Sequence, residues 1–152
     1  MKIPVSIRPA TPGDVPLILA LEREVAGAAH WSYHEYSERL NGGIILVAEQ
    51  AGDSPHLCGF VCAKRIVPEW EIENIAVAGT VLRCGVANEL LHQLIQKAKL
   101  EGASKILLEV RESNLAARSL YEKHGFLEVG RRSVYYQYPP EDAILYTLRF
   151  EC

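Results

Sequence analysis

The run Arg83-Cys84-Gly85-Val86-Ala87-Asn88 holds the residue types and spacing in this chain that most directly suggest chemistry. It closes a short turn between a β-compatible stretch over residues 71–77 and an amphipathic stretch that begins near Ala87. The small residues at 85 and 87 let a ligand approach the backbone, where larger side chains would stand in its way. The unpaired amides of a first helical turn, at the positive end of the helix dipole, favour an anion such as a pyrophosphate. Two common nucleotide motifs are excluded. No Gly-Lys-Ser/Thr run exists for a P-loop, and the turn lacks the three spaced glycines of a dinucleotide site. An ordinary strand-to-helix turn would read the same way, so the other reactive side chains must decide.

Glu109 interrupts the apolar run Ile106-Leu107-Leu108-Glu109-Val110, where an unpaired carboxylate would be costly. It either serves the reaction or pairs at an edge with Arg111 or Arg132. Glu71 and Glu73 stand two apart on one face of the preceding strand. Tyr121 shares a helical face with Ala117 and Leu120, so core packing competes with chemistry for its ring. Cys58, Cys62, Cys84 and Cys152 form no C-x-x-C pair, and the five histidines have no metal-ligand spacing, so no metal is expected. Cys84 reads as a small filler beside the loop amides, and His92 as a solvated side chain on the polar side of its helix.

The elements that must position these groups follow from composition and pattern. The chain has 152 residues, 49% apolar and 23% charged, which suits one folded domain over residues 1–152. Its net charge of −3 offers no bulk attraction to nucleic acid. The N-terminus has no apolar leader core, and no run approaches the ~18 apolar residues of a membrane span. These features, with scattered cysteines, read as a reduced, cytoplasmic protein with no membrane partner.

Alternation and apolar runs give strands over 5–10, 44–49, 57–67, 71–77, 105–111, 126–136 and 144–150. The second and third form a hairpin through the polar turn 52–55, and the last two join across residues 139–142. Helices follow from caps. Thr11, Pro12 and Asp14 open one that runs over 15–25, and Ser32 with Glu35 makes a capping box for another that Gly42 and Gly43 close. Ala87, Leu90, Leu91, Leu94, Ile95 and Ala98 lie on one face of a third helix stopped by Gly102. Ser113 or Asn114 caps a fourth that ends at Gly125. A strand–helix–strand centre without repeats argues an α/β or α+β sheet covered by helices.

Four stretches, in order, resemble the GNAT N-acetyltransferases. Ile7-Arg8-Pro9-Ala10 through Asp14-Val15 is similar to that family's opening. Asn74-Ile75-Ala76-Val77 with Gly85-Val86-Ala87 is similar to its acyl-CoA segment, written [QR]-x-x-G-x-[GA], except that Leu82 stands where Gln or Arg is usual. The stretch Leu108-Glu109-Val110-Arg111-Glu112-Ser113-Asn114, with Leu120-Tyr121 and Gly125-Phe126, resembles the RimI branch, the ribosomal-protein alanine N-acetyltransferases. So does Arg131-Arg132, then Tyr135-Tyr136 and Glu141-Asp142-Ala143.

The resemblance implies a mixed, mostly antiparallel seven-stranded sheet flanked by about four helices, with a V-shaped split between strands four and five. Acetyl-CoA would enter the split and pair with the backbone of Ile75, Ala76 and Val77. Arg83, Cys84, Gly85, Val86, Ala87 and Asn88 would take its pyrophosphate, with Asn114 a further contact. Transfer to an amine needs a base for the ammonium and benefits from a proton donor for the departing thiolate. The resemblance assigns these roles to Glu109 and Tyr121. Glu71 is the competing base, at the position used by the histone-acetylating branch. Trp31, Tyr33, Glu71, Tyr135 and Tyr136 would line the acceptor groove, although packing explains the aromatic residues equally well. The implied activity is direct acetyl transfer to a protein N-terminal α-amine, by a monomer or weak dimer. A GNAT enzyme for small-molecule amines and a non-catalytic acyl-CoA-binding module are the alternatives.

Overall fold

A computed structural model describes residues 3–25, 30–52 and 56–151. Its strands are β1 Val5–Pro9, β2 Gly43–Gln50, β3 His56–Ile66, β4 Glu69–Val77, β5 Lys105–Arg111, β6 Leu127–Gln137 and β7 Pro140–Arg149. They form one sheet in the order β1-β2-β3-β4-β5-β7-β6. Every neighbouring pair is antiparallel except β4 with β5. The helices are α1 Val15–Glu24, α2 Tyr33–Gly42, α3 Val86–Leu100 and α4 Leu115–Lys123. Among the described residues, no helix is long and apolar enough to cross a membrane.

The sheet is covered on both faces, which explains why β2 and β3 read as unbroken apolar runs. On one face Val15, Ile18 and Leu21 of α1 and Tyr36 of α2 pack on Ile45, Val47, Phe60 and Cys62. On the other, Leu90, Leu91, Leu94 and Ala98 of α3 pack on Leu46, Val61, Ile72, Ile106 and Leu108. Val86 is buried with this second set and Ala87 only half-buried, so the inward face of α3 starts one residue earlier than the periodicity suggests.

The Ser32 and Asn114 caps form as read, whereas Thr11 opens a 3-10 turn, Pro12–Asp14, ahead of α1. Ser32 Oγ accepts from the Glu35 N–H at 3.2 Å, and Asn114 Oδ1 accepts from the Ala117 N–H at 3.2 Å. Asp14 Oδ2 accepts from the Thr11 N–H at 2.8 Å and from Arg8 Nη1 at 2.7 Å. The Arg8 guanidinium holds the Asp14 carboxyl down at about 2. Gly43 ends α2 where a Cβ would lie 2.4 Å from the Ala63 carbonyl oxygen. Residues 53–55 of the hairpin turn, residues 26–29 and Cys152 lie outside the described residues.

Two strand limits differ from the pattern. β4 begins at Glu69, and β7 begins at Pro140 rather than near 144. Glu141 and Asp142 look like loop residues but sit in the ladder, where donors from other segments of the chain hold their carboxylates. Glu141 accepts from the Ser113 N–H at 2.5 Å, and Asp142 accepts from the Val134 N–H at 2.8 Å.

The feature that positions the site is in β4. Cys62 pairs with Asn74 and Ala63 with Ile72, so Glu73 is an extra residue, a β-bulge. A bulge bends its strand and increases the local twist. The parallel pairing of β4 with β5 covers only Glu69–Glu71 against Lys105–Leu107 and stops just before it. Beyond that point the two strands part, which is the split expected between strands four and five. The bulge also resets the alternation. Trp70 and Ile72 face α3, whereas Glu73 and Asn74 both reach α2 side chains. After it, Ile75 and Val77 pack on the α3 side and Ala76 on the other.

Candidate active site

The split opens into a cavity of about 930 Å³, within the range of small-molecule sites. Ile75, Ala76 and Val77 line one side, Leu108, Glu109, Val110 and Arg111 the other, and Asn114, Ala117 and Tyr121 of the α4 segment its floor. Beyond Glu71 the β4 edge has no β5 partner, so its backbone donors and acceptors are offered to whatever enters. A pantetheine chain with two amides meets that need. The loop below fits the other end of acetyl-CoA. Arg83 and Gly85 take left-handed backbone angles, φ 64 and 84. The amides of Val86, Ala87 and Asn88 precede the first backbone bond of α3, from the Glu89 N–H to the Gly85 carbonyl at 3.0 Å. Free amides at a helix start are suited to hold an anion. Of the loop residues, Ala87 lines the cavity, and so does Leu82 at the unusual first motif position.

Two of the loop side chains are used within the protein. Asn88 Oδ1 lies 2.8 Å from His124 Nε2, tying the start of α3 to the end of α4. Cys84 Sγ points at the Leu82 carbonyl at 3.7 Å and packs on the α3 core, as a filler would. Burial, Lys123 and His92 push the His124 ring below its ordinary pKa. With Asn88 Oδ1 as acceptor, the Nε2–H of the ring is the donor. No sequence spacing signalled this pair.

Tyr121 stands on α4 with its ring against Phe126 and Tyr146, centroids 5.6 and 6.3 Å apart. The residue is 5% exposed and lines the cavity, and its hydroxyl has no hydrogen-bond partner among the described residues. Burial pushes its phenol above the ordinary range, so it carries its proton at neutral pH. A protonated phenol facing the cavity is a competent donor.

Along β5, Ile106, Leu108 and Val110 are buried and Glu109 takes the alternate face. Its carboxylate lines the cavity and lies 2.9 Å from Arg132 Nε, one of the two partners the sequence allowed. Arg132 is largely exposed, so this pair is weakly held. Glu71 and Glu73 face the same layer. Arg39 takes Glu73, with Nε–Oε1 at 2.5 Å. Among the described residues, Glu71 has no ion pair. Burial, followed by the charges of Glu73 and Glu109, pushes its carboxyl up. Glu71 itself is not part of the cavity lining.

The aromatic residues divide. Tyr136 lines the cavity beneath Arg111, whose guanidinium carbon is 4.2 Å from the ring centroid. Tyr135 stacks edge-on with it at 5.2 Å and is half exposed. An irregularity in β6 puts them there. Arg132 pairs with Ala143 and Tyr136 with Glu141, so β6 advances four residues while β7 advances two. Tyr138, a groove candidate alongside Tyr135 and Tyr136 from the sequence, lines the cavity as well. Trp31 packs on Tyr36 at 5.2 Å under Arg39, and Tyr33 is exposed; neither lines the cavity. Val25, His30, Glu73 and Asn74 do, and sequence reading passed over them as lining residues. Among the described residues, no group of His, Cys, Asp and Glu could hold a metal ion.

The sequence profile of the acetyltransferase (GNAT) family matches residues 17–126. The [ribosomal protein bS18]-alanine N-acetyltransferase of Haemophilus influenzae is 41% identical over 87 residues, which span 57% of this chain and 59% of that protein. The protein of the same name from Escherichia coli K12 is 33% identical over 137 residues, 89% of this chain and 90% of that one. The crystal structure of the E. coli ribosomal-protein-S18-alanine N-acetyltransferase superposes with a TM-score of 0.87 at 29% identity, covering 98% of this chain and 96% of its own. Arabidopsis thaliana NAA60 in complex with acetyl-CoA shares the fold, with a TM-score of 0.87 at 20% identity over 97% of this chain and all of that one.

Proposed function

The chain belongs to the GNAT family and is an acetyl-CoA-dependent N-acetyltransferase, and from that premise we propose that it acetylates the N-terminal α-amine of a ribosomal protein. The observation that carries this reading is one cavity with Glu109 and Tyr121 in its lining and an unpaired β4 edge along its side. The names of the H. influenzae and E. coli relatives support an N-terminal alanine as the acceptor. An α-amine has a pKa near ~8, so a single carboxylate gives enough help near neutral pH; a lysine side chain near ~10.4 would need more.

In this reading acetyl-CoA lies along Ile75, Ala76 and Val77. Its pyrophosphate rests on the loop from Arg83 to Asn88 and Asn114 contacts it from α4. Glu109, directly or through water, takes the proton of the acceptor ammonium. The free amine attacks the thioester carbonyl carbon and the carbon–sulfur bond breaks. The departing thiolate takes the Tyr121 proton, and the second proton of the attacking nitrogen, released as the new amide forms, restores the Tyr121 phenol directly or through water. Tyr135, Tyr136 and Tyr138 border the acceptor's path, with Trp31 and Tyr33 behind its far wall.

Glu71 offers a second reading for the base, favoured by one observation: Glu73 and Glu109 each have an arginine and Glu71 has none. In this reading residues 1–152 form one acetyltransferase domain, a monomer or weak dimer in the cytoplasm. The net charge of −3 offers no bulk attraction to nucleic acid.

The test is acetyl-CoA turnover with short peptides bearing a free N-terminal alanine, against polyamines and aminoglycosides. Peptide acetylation at the α-amine, with Glu109→Gln slowed about 100-fold or more and Glu71→Gln far less, supports the assignment. The reverse order of the two variants makes Glu71 the base. Turnover of small amines only makes this a small-molecule enzyme, and tight CoA binding without turnover makes it a binding module.

A further inference from the structure

A second polar cluster lies behind the cavity wall and takes no part in the transfer described above. Glu22 on α1 is 2% exposed and has no arginine or lysine partner among the described residues. Its carboxylate accepts from the Trp31 N–H at 2.9 Å and, in a short hydrogen bond, from the Tyr36 hydroxyl. The same hydroxyl accepts from Asn74 Nδ2 at 3.0 Å. One turn further along α2, Arg39 grips Glu73 through Nε and Nη2. Tyr36 and Arg39 stand three apart on one helix face, and they hold the two consecutive residues of the β4 bulge.

Packing alone does not call for this arrangement. The Tyr36 ring already sits between Trp31 and Phe60, at 5.2 and 5.8 Å, and a phenylalanine would fill the same space. Burying a carboxylate without a cation is costly, and an apolar residue of similar volume is often the more stable choice. What the polar version supplies is direction. It fixes α1 and α2 against the point where β4 leaves β5. Val25, His30, Glu73 and Asn74, from the two sides of that junction, line the same cavity.

We propose that Tyr36, backed by Glu22, is a positioning residue for the acceptor, locking the α1–α2 wall of the cavity to the β4 bulge. The proposal rests on the acetyltransferase reading but not on which amine is acetylated. Tyr36→Phe keeps the ring and its contacts while removing one hydrogen bond from the Glu22 carboxylate and one from the Asn74 amide. The wall then loosens, and the acceptor loses affinity while acetyl-CoA, seated on β4, α3 and α4, does not.

The experiment uses whichever acceptor the parent protein turns over fastest from a panel of α-amine peptides, lysine peptides and small amines. Tyr36→Phe raises the acceptor KM about tenfold and leaves the acetyl-CoA Kd within twofold. Glu22→Gln, which keeps the shape and can still accept one of the two bonds, raises that KM by about threefold. Hydrogen exchange speeds up in α1 and α2 and stays unchanged in α3. A variant that melts earlier with an unchanged acceptor KM, or that weakens acetyl-CoA and acceptor equally, overturns the proposal. A parent that prefers a small amine overturns the N-terminal reading alone, because the KM-against-Kd split is read on that amine instead.

Discussion

Tyr121→Phe separates chemistry from packing more cleanly than any other single change in this protein. The variant keeps the ring contacts with Phe126 and Tyr146 and removes a hydroxyl that has no partner among the described residues. Stability at neutral pH should therefore change by less than about 1 kcal/mol, or ~3 °C in Tm. The rate is another matter. General acid catalysis is worth ~10²–10⁴-fold, most when donor and acceptor are matched. Burial holds the phenol above ~10, while a thiol sits near ~8.5, so the proton moves against its gradient. That mismatch puts the loss in kcat at the lower end, about 100-fold, or ~2.7 kcal/mol of barrier. The pH dependence has a defined sign. Above ~10 the unfolded tyrosine ionises while the folded one keeps its proton, so the parent loses stability as pH rises and the variant escapes that loss. Single-turnover kinetics at saturating acetyl-CoA and thermal melts at pH 7.5 and 10.5 read both effects. A kcat within threefold of the parent would refute the donor role. An alkaline limb near pH 9 in the parent, absent from the variant, would refute the raised phenol.

Three further predictions concern the two ends of α3 and the ion pair between Arg8 and Asp14. Gly85→Ala forces a side chain onto a residue at φ 84, costing about 1 kcal/mol, and displaces the first amides of α3. The acetyl-CoA Kd, measured by calorimetry, should weaken at least about fivefold. Gly102→Ala carries the same strain at φ 81 beyond the other end of α3, so it should lower stability equally and leave that Kd unchanged. Asp14→Asn should cost about 2 kcal/mol at pH 7, because Arg8 holds the carboxyl at about 2 and the unfolded group titrates near ~3.9. That contribution is complete above pH ~4 and is lost as pH falls through ~2, so urea melts of parent and variant should converge there.

The sequence disclosed what depends on local signals. Ser32 with Glu35, Asn114, and Gly102 after the periodic run marked helix ends because caps and stops act within one turn. Glu109 stood out because a charge inside an apolar run needs a reason, and two arginines were named as partners; choosing Arg132 required knowing that β6 reaches β5 only through β7. Pro140 to Asp142 read as a loop because the donors that fix their carboxylates, Ser113, Arg131 and Val134, come from elsewhere in the chain. The Glu22–Tyr36–Asn74 chain was illegible for the same reason. Its members are 14 and 38 residues apart, and each alone looks like an ordinary helix or strand residue.

The bulge at Glu73 shows why the site could be recognised by resemblance and yet not built from pattern. Alternation over Trp70-Glu71-Ile72-Glu73 predicts that Asn74 faces α3 and Ile75 faces α1 and α2. The extra residue reverses both, so that Asn74 meets Tyr36 and Ile75 packs on the α3 side. The same residue bends β4 away from β5 just past Glu71, leaving Ile75 to Val77 paired with β3 but without a partner on the β5 side. A regular strand would have continued the parallel ladder and closed the cavity. It would also have turned the Asn74 side chain away from α2. Opening for the cofactor and anchoring for the acceptor wall thus come from one inserted residue. Glu73 itself is kept in place by Arg39, a contact that a strand pattern cannot show.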